Sequence, residues 1–521
     1  EGFDYGYYNA IEFGIGDDHS LKNATISGNT FTKTIKNNYF NFYNMQEGAV
    51  INITNNQFLL ANKSSNGIRI SNNKNVSATF NLDSNTYTYA ATSADSEYEG
   101  LILLQDYSKK DAGTQDFTKI TINITNLTSP EDAKQILYVY DDQDGIIQTN
   151  QPVVKGDSSI EKFFVAKVGD TYYKTLADAV AAADNNTVTL LKDVTADITI
   201  PAGKTMTLDL NGKTLTNVDD HTILNNGNLT ITGTGKVDNI SHAKGALYNK
   251  GTVVVNGGTF DRSKENGKTS NDSGSNSWYT IKNVGTMTIN DGATVQTAGN
   301  NAALGKFSSL VSNGYFNAND YNTNKGLDQP ILTIDGGTFR GGLNTIKNDD
   351  RAKLTINGGT FSNYYQAVVQ NHNIAEITGG TFTAASDANA KTYGIYNCGC
   401  GAEIDLGTLT VSGGTFTGAT YAVAEVSSQN AIVNISGGQF AGTKAAIIKR
   451  STSNATIAVS GGTFSSDPSV HVVGNGNTNI VKRDGSEGAY TYTVLAKSGL
   501  TSGVYLTDPS GALASNYYVS S

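Results

Sequence analysis

The tetrapeptide Gly-Gly-Thr-Phe recurs along the second half of the chain, and each copy follows a short segment of alternating apolar and polar residues. Six copies keep the Thr and one carries Gln instead; they end at Phe260, Phe339, Phe361, Phe382, Phe416, Phe440 and Phe464. From Phe339 onward the copies are 22, 21, 34, 24 and 24 residues apart. A second apolar segment precedes several copies and ends at Asn249, Asn283, Asn348 or Asn397. A repeat of this length is typical of solenoid proteins.

One repeat of about 22 residues holds three short strands and has no room for a crossover helix, so it cannot bury its own apolar face. Stacked repeats solve this problem, because each strand pairs in parallel with its equivalent in the next coil, about 4.8 Å away. The sequence therefore predicts an all-β fold, a right-handed parallel β-helix, with the hand taken from the crossover rule for parallel strands.

Each recurrent position of the repeat has an expected role. We expect the Gly-Gly pair to form a corner that needs positive φ, and the Asn at the other corner to occupy the left-handed region. The Phe is predicted to point inward and stack, with each ring contributing roughly 1.5–3 kcal/mol on burial. The alternative is an outward row of aromatic platforms for sugars, which is less favoured because Thr is the better outward residue.

Composition excludes several other classes of protein. Gly numbers 56 and only 16% of residues are charged, which argues against a helical protein, while 38% hydrophobic residues argue against disorder. The net charge of −10 argues against nucleic-acid binding. No apolar run approaches 18 residues, so we expect no membrane insertion. Two cysteines are too few for a disulfide scaffold.

The repeat pattern also suggests domain boundaries. Residues 1–128 carry a looser repeat and predict the C-terminal part of a first β-helix, and residues 129–164 are interpreted as its end and a linker. Residues 165–480 predict a second β-helix, whose open end is covered by an amphipathic helix over 175–184 with Thr175 as N-cap. Residues 481–521 are interpreted as a C-terminal cap or the start of a further module.

The segment from Asp170 to Leu215, together with the Gly-Gly-Thr-Phe coils, resembles adhesin-like surface proteins of anaerobic, gut-type Gram-positive bacteria with pectate-lyase-like β-helix repeats. The resemblance covers residues 165–465 well and 1–128 loosely. It implies a secreted or cell-surface protein, monomeric within a longer polypeptide, whose partners are glycans or host surface proteins. It is less specific for function, because the same fold occurs in lyases, hydrolases and phage tailspikes.

The pattern of acidic residues predicts no catalytic site. Hydrolysis needs two carboxylates close together, but the position before Gly-Gly holds a carboxylate only at Asp335 among seven copies. The acidic groups at 219–221 and 349–351 are interpreted as solvated turns. Residues 141–145 resemble a calcium loop without its later Glu. No metal or other cofactor is therefore predicted, with calcium the one ion left open.

The two cysteines, Cys398 and Cys400, lie two residues apart. We favour two ordinary turn cysteines, because bonding across this spacing needs a tightly bent chain. A strained disulfide and a reactive pair are the alternatives.

Binding is expected in the enlarged corners, because loops on a rigid scaffold carry function. The largest insertions span 261–277, 296–328 and 384–403. Aromatic residues in or beside the first two are the candidate ligand-binding residues: Trp278, Tyr279, Phe307, Tyr315, Phe316 and Tyr321. The alternative is that these rings pack onto the coils and tether the loops. The favoured function is a non-enzymatic adhesin or stalk, ahead of a polysaccharide lyase or glycoside hydrolase and of a phage tailspike-like fibre.

Overall fold

A computed structural model describes the protein, apart from the residues given next. The residues outside the description are 1–10, 15–18, 32–37, 91–95, 107–115, 142–144, 148–149, 266–277, 301–307, 316–327, 386–390, 400–405, 428–429, 475–478, 484–488, 497–503, 508–512 and 520–521. The chain forms two compact units, the first comprising residues 1–183 and 188–192 and the second comprising 184–187 and 193–521. Stacked parallel strands dominate both units, so the predicted parallel β-helix is confirmed.

Each coil of the second unit contributes one strand to each of three parallel sheets, which we call sheets A, B and C. Sheet A precedes the Gly-Gly corner and consists of Thr205–Asp209, Asn228–Thr232, Thr252–Val255, Thr286–Ile289, Ile331–Ile334, Lys353–Ile356, Ile374–Ile377, Thr408–Val411, Ile432–Ile435 and Thr456–Val459. Sheet B follows that corner and consists of Val194–Thr195, Lys213–Thr216, Gly235–Asp238, Gly258–Asp261, Ala293–Val295, Thr338–Arg340, Thr360–Asn363, Thr381–Ala384, the first parts of Thr415–Glu425 and Gln439–Lys449, and Gly462–Phe464. Sheet C consists of Ile198–Ile200, Ile223–Asn225, Leu247–Asn249, Ile281–Asn283, Val311–Asn313, Asn344–Asn348, Ala367–Asn371, Tyr393–Asn397 and the last parts of the two long strands.

The second unit ends in strands of different topology. Tyr492–Ala496 pairs antiparallel with Gly462–Phe464 and with Asn479–Arg483. Val504–Thr507 pairs antiparallel with Leu513–Val519. Two 3-10 turns, Ala298–Asn300 and Ser469–His471, also belong to this unit.

The first unit repeats the same three-sheet order. Its sheet A consists of Leu21–Ser27, Met45–Thr54, Ala78–Asp83, Ile120–Thr125 and Val153–Gly156; its sheet B of Thr30–Phe31, Gln57–Leu60 and Thr86–Tyr89; and its sheet C of Ile11–Phe13, Phe40–Phe42, Ile68–Ile70, Ile102–Asp106 and Leu137–Asp141. The remaining elements are the antiparallel strands Gly145–Ile147, Ala166–Val168 and Thr171–Tyr173 and the 3-10 turns Phe117–Lys119 and Ser158–Phe163. The strand Asn186–Leu190 is shared, since residues 186–187 belong to the second unit and residues 188–190 to the first. Strands of the segment 129–164, expected to be an end and a linker, therefore pair with earlier coils of this unit.

The α-helix Leu176–Ala182 confirms the helix expected from sequence. The Thr175 hydroxyl caps its N-terminus by accepting a hydrogen bond from the Asp178 backbone N–H at 3.1 Å. Its apolar side is buried through Leu176, Ala179 and Val180. Its neighbours within the first unit are the strands Ala166–Val168 and Thr171–Tyr173.

The two glycines of each Gly-Gly corner are needed for different reasons. In the coil that ends at Phe361, a Cβ on Gly358 would lie 2.6 Å from the Asp335 carbonyl oxygen of the preceding coil. Gly359 has φ of +102°, a conformation that a side chain disfavours. The first glycine therefore permits close approach between coils, and the second provides the positive φ predicted from sequence.

The repeated Phe residues point inward, as predicted. All seven are fully buried: Phe260, Phe339, Phe361, Phe382, Phe416, Phe440 and Phe464. From Phe339 to Phe464 consecutive rings stack with centroids 4.3–5.2 Å apart and interplanar angles of 4–11°. Val295 takes the inward position between Phe260 and Phe339, so the stack begins at Phe339. Outward sugar platforms at these positions are thereby excluded.

The Asn residues that end the sheet C strands also point inward, where they form a ladder. The Nδ2 of each donates to the Oδ1 of the next at 2.7–2.9 Å, through Asn225, Asn249, Asn283, Asn313, Asn348, Asn371 and Asn397. Asn397 then donates to Glu425 Oε2 at 2.6 Å. None of these asparagines has positive φ, so the expected left-handed corner is wrong. The side-chain amide, rather than the backbone conformation, is what these positions require.

Candidate functional site

Four rings meet on the outer surface of sheet C, and we call them the Trp278 cluster: His221, Tyr248, Trp278 and Tyr279. Tyr248 lies between the inward residues Leu247 and Asn249, so the alternation of the strand points it outward. The Trp278 ring lies 4.6 Å from His221, 5.6 Å from Tyr248 and 5.5 Å from Tyr279 between centroids. Each of the four residues is half-buried, so the rings are tethered to the sheet and still meet solvent.

Buried groups fix the position of Trp278. The Arg262 guanidinium donates to the Trp278 carbonyl at 3.2 Å and to the Ser241 carbonyl at 2.6 Å. Glu265 Oε2 lies 3.4 Å from Arg262 Nη1, and both side chains are almost fully buried. Burial lowers the pKa of Arg262 to about 10, so the guanidinium stays charged at neutral pH. Gly245 lies directly beneath the indole, since a Cβ there would approach Trp278 Cζ3 to 2.9 Å.

Burial leaves the imidazole of the cluster neutral. Burial lowers the pKa of His221 from 6.5 to about 4, and its Nδ1 accepts a hydrogen bond from the Gly245 N–H at 2.9 Å. Lys250 Nζ lies 4.8 Å from the centre of the Tyr248 ring, and Lys282 Nζ lies 5.0 Å from that of Tyr279. Lys282 is buried and donates to Ser312 Oγ and to the Gly314 carbonyl, so the cluster combines apolar ring faces with one exposed cation, Lys250, at its edge.

Acidification is expected to destabilise the second unit through His221. The unfolded chain protonates this residue below about pH 6.5, whereas the folded chain does so only near pH 4. The unfolded state binds more protons across this window, so stability is lost as the pH falls from about 6.5 to 4. Urea midpoints measured across this window should decline less steeply for His221→Gln. The prediction is contradicted if the urea midpoint falls with pH equally steeply in His221→Gln and in the unaltered chain. A smaller pH dependence is expected to remain in the variant, because burial also lowers the pKa of His471.

The acidic turn at 349–351, which follows the sheet C strand Asn344–Asn348, differs from the solvated turn expected from sequence. The turn at 349–351 is not fully solvated, because Asp349 and Asp350 are only 2% and 8% exposed. Asp349 lies 2.9 Å from Lys347 Nζ, and burial raises the pKa of its carboxyl group. Tyr315, expected to be an exposed ring, is 3% exposed and its backbone pairs with Asp350. Tyr315 therefore offers no open platform.

A close pair of carboxylates that sequence reasoning missed is held by a lysine. Lys236 Nζ lies 3.1 Å from Asp238 Oδ2 and 3.2 Å from Asp261 Oδ2, on neighbouring strands of sheet B. Asp238 also accepts from the Ser263 N–H at 2.9 Å, and Asp261 accepts from Gln296 Nε2 at 3.0 Å. These partners satisfy the pair within the protein. Among the described residues, no group of three or more His, Cys, Asp or Glu side chains is placed to hold a metal ion.

Several residues singled out from the sequence lie outside the part of the chain that the structure describes. Phe307, Phe316 and Tyr321 lie outside the described residues, as do residues 142–144 of the calcium-like loop. Cys398 is disulfide-bonded, so the favoured interpretation of ordinary turn cysteines is wrong for it; Cys400 lies outside the described residues.

Trp278 and Tyr279, two of the candidate binding residues, lie in one cluster with His221 and Tyr248, which sequence reasoning missed. The register of the strands could have indicated this cluster. When the sequence is aligned on Asn225, Asn249 and Asn283, the residues of the Trp278 cluster fall on consecutive coils.

Comparisons with family models, curated proteins and solved structures found no match. The class is therefore defined by the fold, a parallel β-helix. Within the described residues, no helix has the length and apolar character to cross a bilayer.

Proposed function

We propose that this chain is a non-enzymatic, adhesin-like module of a bacterial surface protein that binds glycans through the Trp278 cluster. The observation that carries the proposal is the cluster itself, a half-buried group of rings fixed from below by Arg262 and packed over Gly245. Held rings lose little conformational freedom on binding, which favours affinity. The resemblance of the coils to adhesin-like surface proteins supports the same class and a location outside the cell.

The chemistry of the cluster suits a sugar ring. A pyranose presents an apolar C–H face and a rim of hydroxyl groups, and aromatic side chains with a polar edge complement both. Donors and acceptors lie beside the rings, since Lys244 Nζ pairs with exposed Asp220 at 2.7 Å and Lys250 lies over Tyr248. The neutral His221 adds a flat surface without a charge to desolvate.

The alternative from sequence, a polysaccharide lyase or glycoside hydrolase, would need reactive carboxylates. The Asp238–Asp261 pair is engaged by Lys236, Ser263 and Gln296, which favours a structural role at this corner. Binding without cleavage is therefore the better-supported function. Trimerisation, which a tailspike-like fibre requires, is checked by mass in solution.

A glycan array read both for retained protein and for shortened glycan tests the proposal. We expect the array to retain the protein without shortening any glycan. Titrating a retained glycan into the protein should then change the tryptophan fluorescence, because Trp278 is the only tryptophan of the chain. Trp278→Ala should weaken retention by about 30-fold, the effect of losing an aromatic anchor. Tyr364→Ala is the matched control, because Tyr364 is an exposed aromatic residue elsewhere on the unit.

Three results would contradict the proposal. Retention unchanged in Trp278→Ala would remove the cluster from the binding site, and shortened glycans would favour the enzyme. Trp278→Phe keeps a ring over Gly245 and should retain part of the affinity, which separates lost binding from lost folding. Retention of host proteins but of no glycan would favour a protein ligand instead.

A further inference from the structure

Three tyrosines meet on the outer surface of sheet C in a later part of the second unit, and we call them the Tyr393 cluster: Tyr393, Tyr396 and Tyr421. The Tyr393 ring lies 5.0 Å from the Tyr396 ring and 6.2 Å from the Tyr421 ring between centroids, and it is nearly parallel to the latter, at 16°. Tyr421 occupies the position equivalent to Tyr393 on the next strand. Each of the three residues is half-buried, so the rings are held by the sheet and remain accessible from outside.

A break in the alternation of the strand brings two of these rings to the same face. A Cβ on Gly394 would lie 3.3 Å from the Phe416 ring, so Gly394 faces the interior. Ile395, the next residue, is also fully buried. Tyr393 and Tyr396 lie on either side of this inward pair and therefore both face outward, whereas strict alternation would place them on opposite faces.

The charges beside the cluster are positive, although the whole chain carries a net charge of −10. Lys391 lies two residues before Tyr393, Lys444 directly precedes the residue that pairs with Tyr421, and both lysines are exposed. Burial raises the pKa of Tyr393, and the positive charge of Arg450 opposes this effect, so the guanidinium lies within electrostatic range of the ring. Among the described residues, none of these three cations has a salt-bridge partner.

Exposed carboxylates are absent from the described segments around the cluster. These segments are 366–371, 391–397, 415–427 and 439–450, and the one carboxylate among them is Glu425. Glu425 is fully buried and accepts from Asn397 at the end of the asparagine ladder, so it offers no surface to a ligand. The patch is therefore cationic and complements an anionic partner.

The residue types narrow this partner to a sulfated glycan. Tyrosine rings pack against the apolar C–H face of a pyranose, and their hydroxyl groups pair with its hydroxyl rim. Two of the three cations are lysines, whose ammonium groups bind tetrahedral anions such as phosphate as point charges, whereas a planar carboxylate is matched better by the fork of an arginine. An acidic peptide would use the charges but has no need of three clustered rings.

We propose that the Tyr393 cluster and its flanking cations form a binding site for sulfated glycans, in which a sugar ring packs on the tyrosines and a sulfate group pairs with Lys391 or Lys444. Tyr248 of the Trp278 cluster lies five coils earlier in the same outward row as Tyr396, about 24 Å away at about 4.8 Å per coil. The two clusters are therefore separate sites, and this proposal does not depend on glycan binding at Trp278.

The test compares chondroitin sulfate with chemically desulfated chondroitin, because the two polymers share their sugar rings and carboxylates and differ in the sulfate ester. Binding of each polymer to the whole chain is measured by biolayer interferometry at low and at physiological salt. We expect chondroitin sulfate to bind about tenfold more tightly than the desulfated polymer, since a charge-assisted hydrogen bond is lost with the sulfate. Its affinity should fall as salt screens the exposed charges.

Variants of the patch assign the binding to its cations and its rings. Lys391→Gln combined with Lys444→Gln should weaken chondroitin sulfate about tenfold, since each exposed charge contributes up to about threefold. Lys353→Gln is the matched control and should have no effect, because Lys353 is an exposed lysine on sheet A of the same unit. Tyr393→Ala should weaken binding by about tenfold, whereas Tyr393→Phe keeps the ring and should retain most of the affinity, which separates lost binding from lost folding.

The same variants distinguish this site from the Trp278 cluster. Trp278→Ala should leave the affinity for chondroitin sulfate unchanged, and the double lysine variant should leave the retention of glycans by the Trp278 cluster unchanged. The proposal is overturned if chondroitin sulfate does not bind, if desulfated chondroitin binds equally well, or if the double lysine variant keeps full affinity. Equal binding of polyglutamate would also overturn it, because charge without a sugar would then be sufficient.

Discussion

Replacing Phe361 with alanine is expected to lower the free energy of unfolding of the second unit by about 3–5 kcal/mol. The ring is fully buried and stacks between Phe339 and Phe382, at 4.8 Å and 4.7 Å between centroids. Removing it leaves a cavity that the two neighbouring rings cannot fill, because the coil spacing is fixed by backbone pairing on three sheets. Urea unfolding followed by circular dichroism measures the loss.

Tyr364→Ala provides the matched control, three residues along the same coil. Tyr364 is 45% exposed, so its truncation should change stability by no more than about 0.5 kcal/mol. If Phe361→Ala shifts the urea midpoint no more than Tyr364→Ala does, the stacked column contributes little and the inward assignment loses its energetic basis.

The second large effect is expected for Asn313→Ala, at about 2–4 kcal/mol. Asn313 Nδ2 donates to Asn348 Oδ1 and to the Lys353 carbonyl, both at 2.9 Å, and its Oδ1 accepts from Asn283 at 2.7 Å. Truncation leaves buried acceptors without their donor, at about 1–3 kcal/mol for each unsatisfied group. The same urea measurement applies.

An exposed amide pair elsewhere on the unit controls for the loss of an asparagine as such. Asn290 Nδ2 donates to Asn256 Oδ1 at 2.7 Å on the outer surface, and Asn256→Ala should cost far less than Asn313→Ala. Asn313→Asp keeps the shape but replaces the donor with an acceptor facing Asn348 and Lys353. The free energy of unfolding of Asn313→Asp at neutral pH should be no higher than that of Asn313→Ala. If Asn313→Asp is instead as stable as the unaltered chain, packing rather than hydrogen bonding governs this position.

The parts of the fold that depend on local pattern were predictable. The Phe positions follow from alternation with Thr, the glycine corner follows from backbone conformation, and the cap of the helix at Thr175 follows from the residue types around it. Each of these features is decided within one repeat, so a single chain displays the signal several times.

The parts that depend on contacts between coils were not predictable in the same way. The role of Asn283 was missed because its partners, Asn249 and Asn313, are 34 and 30 residues away, and insertions of unequal length hide their register. Asp349 has the sequence context of a solvated turn, yet it is buried beside Lys347.

The asparagine ladder runs in one direction, since every amide donates toward the C-terminus and accepts from the N-terminal side. Any coil between Asn225 and Asn397 therefore presents the same connection above and below, and gene duplication or loss of a whole coil would preserve it. Glu425 accepts from Asn397 but has no amide hydrogen to pass on, so it closes the series. Whole coils can therefore be added or lost between Asn225 and Asn397 without breaking the ladder, whereas the coils beyond Glu425, which include the strands Gln439–Lys449 and Thr456–Val459, lie outside it.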